Sequence, residues 1–192
     1  MSEEKQRRTA PNGLDPVIDF VNSTDLETGR EDLGGPGELA AWLLGRGLLP
    51  AGTTLGEADL AASLRLREAL RALMLSHNGG PVDEGAEREL EAVARRGRLS
   101  VHFPAGDEMR LAPEAGGLAG ALAALLVPVA AAIADDSWRR VKACRAEDCH
   151  WAFYDFSRNR AGTWCDMAVC GNREKVRAYR GRAPRAAPRA GS

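Results

Sequence analysis

The chain is poor in several residue types that commonly carry catalysis or stabilise secreted proteins. It has three histidines and ten aromatic residues among 192, and none of its four cysteines precedes residue 144. Net charge is also nearly absent, since 26 basic residues face 27 acidic ones, and this balance excludes a histone-like polycation. Hydrophobic residues make up 44% and charged residues 28%, which is a globular composition and excludes a disordered chain.

Targeting segments and catalytic motifs are missing as well. No apolar stretch follows the first eight residues, so we predict no signal peptide and a cytoplasmic location. The most apolar run, 118–134, contains Pro128 and is slightly short for a bilayer, so we interpret it as a core helix and predict no membrane partner. The run GGPG at 34–37 lacks the Lys and Ser/Thr of a phosphate loop. No Ser/His/Asp set can be assembled either, and we predict that the protein is not an enzyme.

The near-zero net charge conceals two opposed regions. Residues 138–192 carry 13 basic and 5 acidic residues, a net charge of +8, whereas residues 1–137 carry −9. Seven of the ten aromatic residues and all four cysteines lie in the basic part. This asymmetry predicts an acidic body with a polyanion-binding C-terminal module.

The first 137 residues predict an α+β fold, mostly helical with a small β-sheet. The segment 16–22 suits a strand or a helix start, and Ala/Leu-rich residues from Gly117 to Asp135 suit a helix. The other predicted elements are a helix over 38–49, a helix from a capping box at Thr54–Glu57 to Asn78, a helix over Asp83–Arg96, and a hairpin joining 99–103 to 109–112 through Ala105-Gly-Asp107.

The cysteines follow the spacing C-x4-C-x15-C-x4-C, as Cys144, Cys149, Cys165 and Cys170. Two close pairs separated by a loop can supply four thiolates to one tetrahedral metal, so we predict one structural Zn²⁺ per chain. Four thiolates leave no open coordination position, which excludes water activation by the metal. Buried free thiols or an adventitious disulfide are the alternatives. We treat the adjacent His150 as a non-ligand.

The segment 150–156 suits a strand of a hairpin, with 157–160 as its turn, and 170–182 suits a helix. A cysteine knuckle, a hairpin and a helix together describe a treble-clef-like zinc finger. The last residues, 183–192, are rich in Pro, Ala and Arg, which predicts a disordered basic tail.

At these residues the sequence resembles a known family. The motif Cys170-Gly-Asn-Arg173, preceded by WCDMAV at 164–169 and by DFSRN at 155–159, strongly resembles the CGNR zinc-finger family. Such proteins commonly carry an N-terminal ABATE domain of stress-induced transcription regulators, and DFVN at 19–22 is similar to its start. The resemblance implies an ABATE-like domain over 1–137 and a CGNR-type finger over 138–182.

The basic residues of the finger are candidates for nucleic-acid contact, because Arg and Lys bind phosphates and Arg pairs with guanine in the major groove. They are Arg158, Arg160, Arg173, Lys175, Arg177, Arg180 and Arg182. A solvated basic face is the alternative for this set, and Asn172 with Arg173 could instead fix the turn into the helix.

We therefore hypothesise a DNA-binding transcriptional regulator whose N-terminal domain senses a small-molecule ligand or forms a homodimer. The alternative hypothesis is a zinc-stabilised RNA- or protein-interaction module without sequence-specific DNA binding. Preference for single-stranded probes would favour that alternative.

Overall fold

The computed structural model describes residues 8–104 and 109–182, with the side chains of 181 and 182 left out. About half of the chain is helical, and the strands form small antiparallel pairs. The helices are α1 (Asp15–Val21), α2 (Pro36–Leu44), α3 (Glu57–Ser76), α4 (Glu84–Arg96), α5 (Gly117–Ala124), α6 (Leu126–Ala134) and α7 (Asn172–Arg182). The strands are β1 (Thr24–Asp25), β2 (Arg30–Glu31), β3 (Leu99–His102), β4 (Arg110–Pro113), β5 (Val141–Ala143) and β6 (Ala152–Tyr154). The predicted α+β fold is confirmed.

The central element of the core is α3, which packs against α4, β5, α1 and α2. Its residues Leu66, Leu70 and Met74 recur at helical spacing and are fully buried. The segment that suited either a strand or a helix start is the helix α1, and its Val17 and Val21 are buried four residues apart. A spacing of four places both side chains on the one face that meets the core.

The capping box predicted at Thr54–Glu57 is wrong in position, because α3 begins at Glu57. The Asp59 carboxylate accepts a hydrogen bond from the backbone N–H of Gly56 at 2.9 Å. The N-terminal cap therefore lies two residues later than predicted. It contains only the reciprocal half of a capping box, since glycine has no side chain to offer.

The helix α4 and the hairpin β3–β4 match their predictions, with Asp83 capping the start of α4 through the N–H groups of Gly85 and Ala86. Gly97 ends α4, and a Cβ there would lie 2.1 Å from the Cβ of Ala123 in α5. Only glycine permits this close approach of the two helices. The predicted turn at 105–107 lies outside the described residues.

The helix predicted from Gly117 to Asp135 is interrupted at Leu125, which separates α5 from α6. The reason is Pro128, which has no N–H to donate to the carbonyl of Ala124. Within the described residues, Gly117–Ala134 is one stretch long and apolar enough to cross a bilayer. Its inner side, including Leu122, is buried in the core, as expected for a core helix.

The C-terminal hairpin packs directly on the N-terminal body. Val141, Ala143 and Ala152 belong to the same buried cluster as α1 and α3. The Asn22 amide accepts a hydrogen bond from the N–H of Ala152 at 2.7 Å and donates to its carbonyl at 2.9 Å. Asn78 donates to the carbonyl of Ala143 at 2.8 Å. The body thus fixes the hairpin through hydrogen bonds from its side chains to the hairpin backbone and through apolar burial.

A buried charge network holds the short hairpin β1–β2 on α3. The guanidinium of Arg67 is almost fully buried and binds both carboxylate oxygens of Glu31, at 2.7 and 2.8 Å. Arg67 also donates to the hydroxyl of Ser23 at 3.1 Å. Because a bidentate pair fixes both partners, the turn between β1 and β2 has a defined position over the body.

Candidate metal centre and basic surface

The four cysteine sulfurs converge on one point. All four Sγ atoms lie within 4.8 Å of one another, with 3.6 Å between Cys149 and Cys165 and 3.7 Å between Cys165 and Cys170. A tetrahedron with Zn–S bonds of about 2.3 Å has S···S edges of about 3.8 Å. The donor set and its dimensions therefore fit a tetrahedral zinc ion with four thiolate ligands. His150 is not part of the cluster.

The cysteines cannot all ionise side by side without a cation. Hydrogen bonds from the thiols of Cys149 and Cys165, and from backbone N–H groups, lower the pKa of Cys144. Hydrogen bonding with Cys144, burial and the negative charge of Cys144 then raise the pKa of Cys149 and of Cys165. A divalent cation removes this conflict by replacing the protons that Cys149 and Cys165 would otherwise keep.

The first cysteine pair lies in the connection between β5 and β6. Cys144 follows β5 directly, and its N–H donates to the carbonyl of Trp151 at 2.9 Å. The N–H of Cys149 turns back to the carbonyl of Ala146 at 2.9 Å. His150 has a φ of 50°, the left-handed conformation that lets the chain re-enter β6. β6 therefore pairs with β5, the strand before it. The prediction that 157–160 forms the turn of the hairpin is wrong.

The second pair lies where the chain turns into α7. The Asp166 carboxylate caps the π-helical turn Met167–Gly171 by accepting from the N–H groups of Ala168 and Val169. The capped turn presents Cys170 to the cluster at the start of α7. A helix that starts near the last ligand was predicted, and α7 begins two residues after Cys170. The first cysteine pair lies within the hairpin connection rather than before the hairpin.

Each residue of the motif 170–173 has a distinct contact. Cys170 supplies a sulfur, and a Cβ on Gly171 would lie only 3.0 Å from the ring of Trp164. The amide of Asn172 donates to the carbonyl of Ala168 at 3.0 Å, which secures the turn. Arg173 donates to the sulfur of Cys170 at 3.4 Å. All four contacts are internal to the protein.

A buried ion pair organises the loop after β6. The ammonium of Lys142 donates to the Asp155 carboxylate at 2.8 Å and to the carbonyls of Arg160 and Gly162 at 2.6 and 3.0 Å. The Asp155 carboxylate also accepts from the N–H groups of Ser157 and Gly162. Burial alone would raise the pKa of Asp155, but these hydrogen bonds outweigh it and lower the pKa to about 2.

The structure divides the predicted basic residues into two groups. Arg158 and Arg160 lie in the loop after β6. Arg140 donates to two carbonyls of this loop, at the end of the hairpin opposite the cysteines. Arg158 is exposed, and Arg160 is half-exposed and pairs with Asp136 at 2.6 Å. The second group lies on α7, beside the metal centre.

Within α7, the predicted residues differ in exposure and partners. Arg173 pairs with Glu27 at 2.7 Å, and Arg177 pairs with Asp148 at 2.8 Å. Lys175 and Arg180 are exposed. Arg182 ends the helix, and its side chain lies outside the description. These positions leave the role of the seven basic residues in nucleic-acid contact a prediction.

Aromatic residues of the finger serve mainly as packing. Trp151 and Trp164 lie partly buried against the cysteine cluster, and Tyr154 packs against the main core with its ring 4.7 Å from that of Phe156. Tyr179 on α7 is 78% exposed. Base stacking by Trp151 and Trp164 would therefore require them to leave their packed positions.

Several residues that shape the site were not singled out in the sequence. They are Asn22, Glu27, Asn78, Lys142 and Asp148, which position the hairpin, the loop and α7. Asn22 and the partner of Lys142, Asp155, lie inside the family-like segments 19–22 and 155–159. That resemblance could have directed attention to them as structural residues.

Comparison with known families agrees with the two-part organisation. A family model described as "CGNR zinc finger" matches residues 140–183, and ABATE, described as "Putative stress-induced transcription regulator", matches residues 14–136. No curated protein matches the chain significantly. Both families are of regulator and zinc-finger type rather than enzyme type, and the clustered cysteines fit one structural zinc of the CGNR finger. The chain therefore belongs to the ABATE family and ends in a CGNR zinc finger.

Proposed function

We propose that this protein is a non-catalytic, DNA-binding transcriptional regulator whose finger docks on duplex DNA. The observation that carries the proposal is the position of α7, which starts at a zinc ligand and presents an exposed basic surface to solvent. Residues 175–180 are all exposed. A helix fixed at its start by a metal centre and exposed along its outer side can enter a groove without reorganising the fold.

The geometry of α7 indicates which of its faces is available. Arg173 and Arg177, four residues apart, face Glu27 and Asp148. Lys175 and Tyr179, also four residues apart, lie on the other side of the helix and are exposed. We assign base-edge contacts to this outer side. Arg180 lies on the same side of α7 as Arg173 and Arg177, but it is exposed, and we assign it to a phosphate.

The loop after β6 would provide a second set of phosphate contacts. Arg158 is exposed there, and the buried pair of Lys142 with Asp155 fixes the loop backbone. The strand β6 separates this loop from the metal centre by about 10 Å, three residues at about 3.3 Å each. Contacts at both ends of the hairpin would orient α7 on the duplex.

A protein-interaction module is the second candidate, and one observation favours it. Met167, Val169, Val176 and Tyr179 are each about half-exposed or more, so apolar side chains accompany the basic ones along the turn and α7. Such residues are common at protein interfaces. The net positive charge of α7 nevertheless favours a polyanion.

The test is selection of bound fragments from genomic DNA by zinc-loaded full-length protein near physiological salt. Two controls separate the metal from the surface: Cys165→Ser removes a ligand, and Lys175→Gln with Arg180→Gln leaves the metal centre intact. The proposal predicts one enriched sequence that is lost in both controls. No enrichment by the wild-type protein contradicts it, and preference for single-stranded fragments favours the RNA-binding alternative.

The predicted small-molecule ligand, the homodimer and the cytoplasmic location stay predictions. The described residues include an apolar cleft of about 390 Å³ between the N-terminus of α1 and α6, lined by Pro16, Leu48, Val127 and Pro128 among others. A sensing function would use a cleft of this kind.

A further inference from the structure

One arginine joins the metal centre to the N-terminal body. The guanidinium of Arg173 donates from Nη2 to the sulfur of Cys170 at 3.4 Å and from Nη1 to Glu27 at 2.7 Å. The same Nη2 lies 3.2 Å from the carboxylate of Asp148. The Arg173 side chain is 24% exposed, half the value of Arg177. Arg173 is therefore more enclosed than Arg177, the other arginine of α7 that pairs with Asp148.

The three anionic partners come from three separate parts of the fold. Glu27 belongs to the turn between β1 and β2, Asp148 lies in the knuckle beside Cys149, and Cys170 is the last zinc ligand. Arg173 therefore connects the body, the first cysteine pair and the second pair through one planar group. Arginine suits this position because it keeps its charge at all relevant pH values and offers donors in a fixed fork.

The charge of the metal centre explains why a cation is needed there. Four thiolates around Zn²⁺ carry a net charge of −2, which is more negative than the metal-free cluster, in which thiols keep protons. A fixed positive charge that donates to a ligand sulfur stabilises the loaded form relative to the metal-free form. Residues that contact metal ligands in this way typically contribute about 10- to 100-fold to metal affinity.

We propose that Arg173 is a positioning residue of the zinc site, oriented by Glu27, so that metal retention depends on the N-terminal domain. In this role Arg173 holds the Cys170 thiolate at the start of α7, and the body reaches the metal through the β1–β2 turn. The proposal concerns metal binding alone and holds whether or not the finger binds DNA.

The first test compares Arg173→Gln with Arg177→Gln in zinc-loaded full-length protein. Both variants lose one positive charge from α7 and an ion pair with Asp148, but only Arg173 contacts a sulfur. The readouts are the rate of zinc transfer to a chromogenic chelator and the thiolate-to-metal charge-transfer band of the Co²⁺-loaded protein. We expect release to be about 10- to 100-fold faster in Arg173→Gln, with a shifted band. In Arg177→Gln the rate should stay within about fivefold of wild type.

The second test uses Glu27→Gln to separate orientation from charge. The metal centre becomes more negative when zinc binds. Loss of the nearby Glu27 charge would therefore, by charge alone, stabilise the loaded form and slow zinc release. If Glu27 orients Arg173, release becomes faster instead. The variant Arg173→Lys keeps the charge without the planar fork, and we expect a release rate between those of wild type and Arg173→Gln.

Equal release rates and identical Co²⁺ spectra in Arg173→Gln and Arg177→Gln would overturn the proposal. Slower release in Glu27→Gln would overturn the part assigned to the N-terminal domain. If Arg173→Gln does not fold, Arg173→Lys and Glu27→Gln carry the same comparison, since each preserves the size and polarity of the replaced side chain.

Discussion

The buried pair of Lys142 and Asp155 gives the most quantitative prediction about the finger. The side chains are 6% and 3% exposed, and their charged atoms are 2.8 Å apart. The Lys142 ammonium uses all three of its donors, on Asp155 and on the carbonyls of Arg160 and Gly162. Removing either partner would leave the other as an uncompensated buried charge.

The perturbation is Lys142→Met or Asp155→Asn, and we expect either to lower the free energy of unfolding by about 3–5 kcal/mol. The lowered pKa of Asp155, caused largely by the same contact with Lys142, gives a similar scale. A carboxyl that is lowered from 3.8 to about 2 in the folded protein contributes about 2–3 kcal/mol at neutral pH. That contribution is present above about pH 4 and is lost as the pH falls toward 2.

The assay is urea unfolding of zinc-loaded protein at pH 7.5, followed by circular dichroism. The double variant Lys142→Met with Asp155→Asn completes the cycle, and its neutral amide keeps one acceptor oxygen, for the N–H of Ser157 or of Gly162. We expect the double variant to lose about as much as one single variant, because the two changes remove the same interaction. Losses below about 1 kcal/mol in the single variants, or full additivity, would refute the reasoning.

Three further predictions concern the body and its contact with the finger. Asn22→Ala removes two buried hydrogen bonds to Ala152 and should lower stability by about 2–4 kcal/mol in urea unfolding, and a loss under about 1 kcal/mol would contradict this role. Gly97→Ala places a Cβ 2.1 Å from Ala123 and should cost at least about 2 kcal/mol by thermal melting; an unchanged melting temperature would contradict the close packing of α4 on α5. Burial, followed by the smaller effects of Arg139 and Lys142, lowers the pKa of His77 despite its bond to the Val141 carbonyl. The folded state therefore takes up a proton less readily than the unfolded chain, so stability falls as the pH drops below about 6.5, and His77→Asn should reduce this slope.

The sequence was most informative where chemistry and periodicity are local. The spacing of Cys144, Cys149, Cys165 and Cys170 predicted the metal centre, and the repeat of Leu66, Leu70 and Met74 predicted the longest helix. In both cases the residues that define the feature are close in sequence or repeat at a fixed interval. Such patterns determine the geometry before any tertiary contact forms.

Long-range pairing was the part that the sequence could not provide. The contact of Asn22 with Ala152 spans 130 residues, and that of Arg173 with Glu27 spans 146. Arg173 and Arg177 were predicted to contact phosphates, because nothing in the sequence shows that Glu27 and Asp148 lie beside them. The partner of β6 was also misplaced, since a strand of three residues pairs equally well with a segment before or after it.

Packing on the body also determines how far the finger depends on its metal. A small finger with few apolar residues commonly takes much of its folding free energy from the metal. Val141, Ala143 and Ala152 are instead buried in the core of the body. We expect zinc removal to release α7 and the cysteine turns more than the hairpin, as hydrogen exchange of the two segments would show.

The affinity of zinc-loaded protein for duplex DNA, measured as a function of salt, tests the proposed function most directly. If the finger binds phosphates, the logarithm of affinity falls linearly with the logarithm of salt concentration, by about 0.9 per contact. Arg180→Gln should reduce that slope by about one, because Arg180 is assigned to a phosphate, and zinc removal should abolish binding. Absence of duplex binding by the loaded protein, or binding that does not change with salt, would contradict a DNA-docking finger.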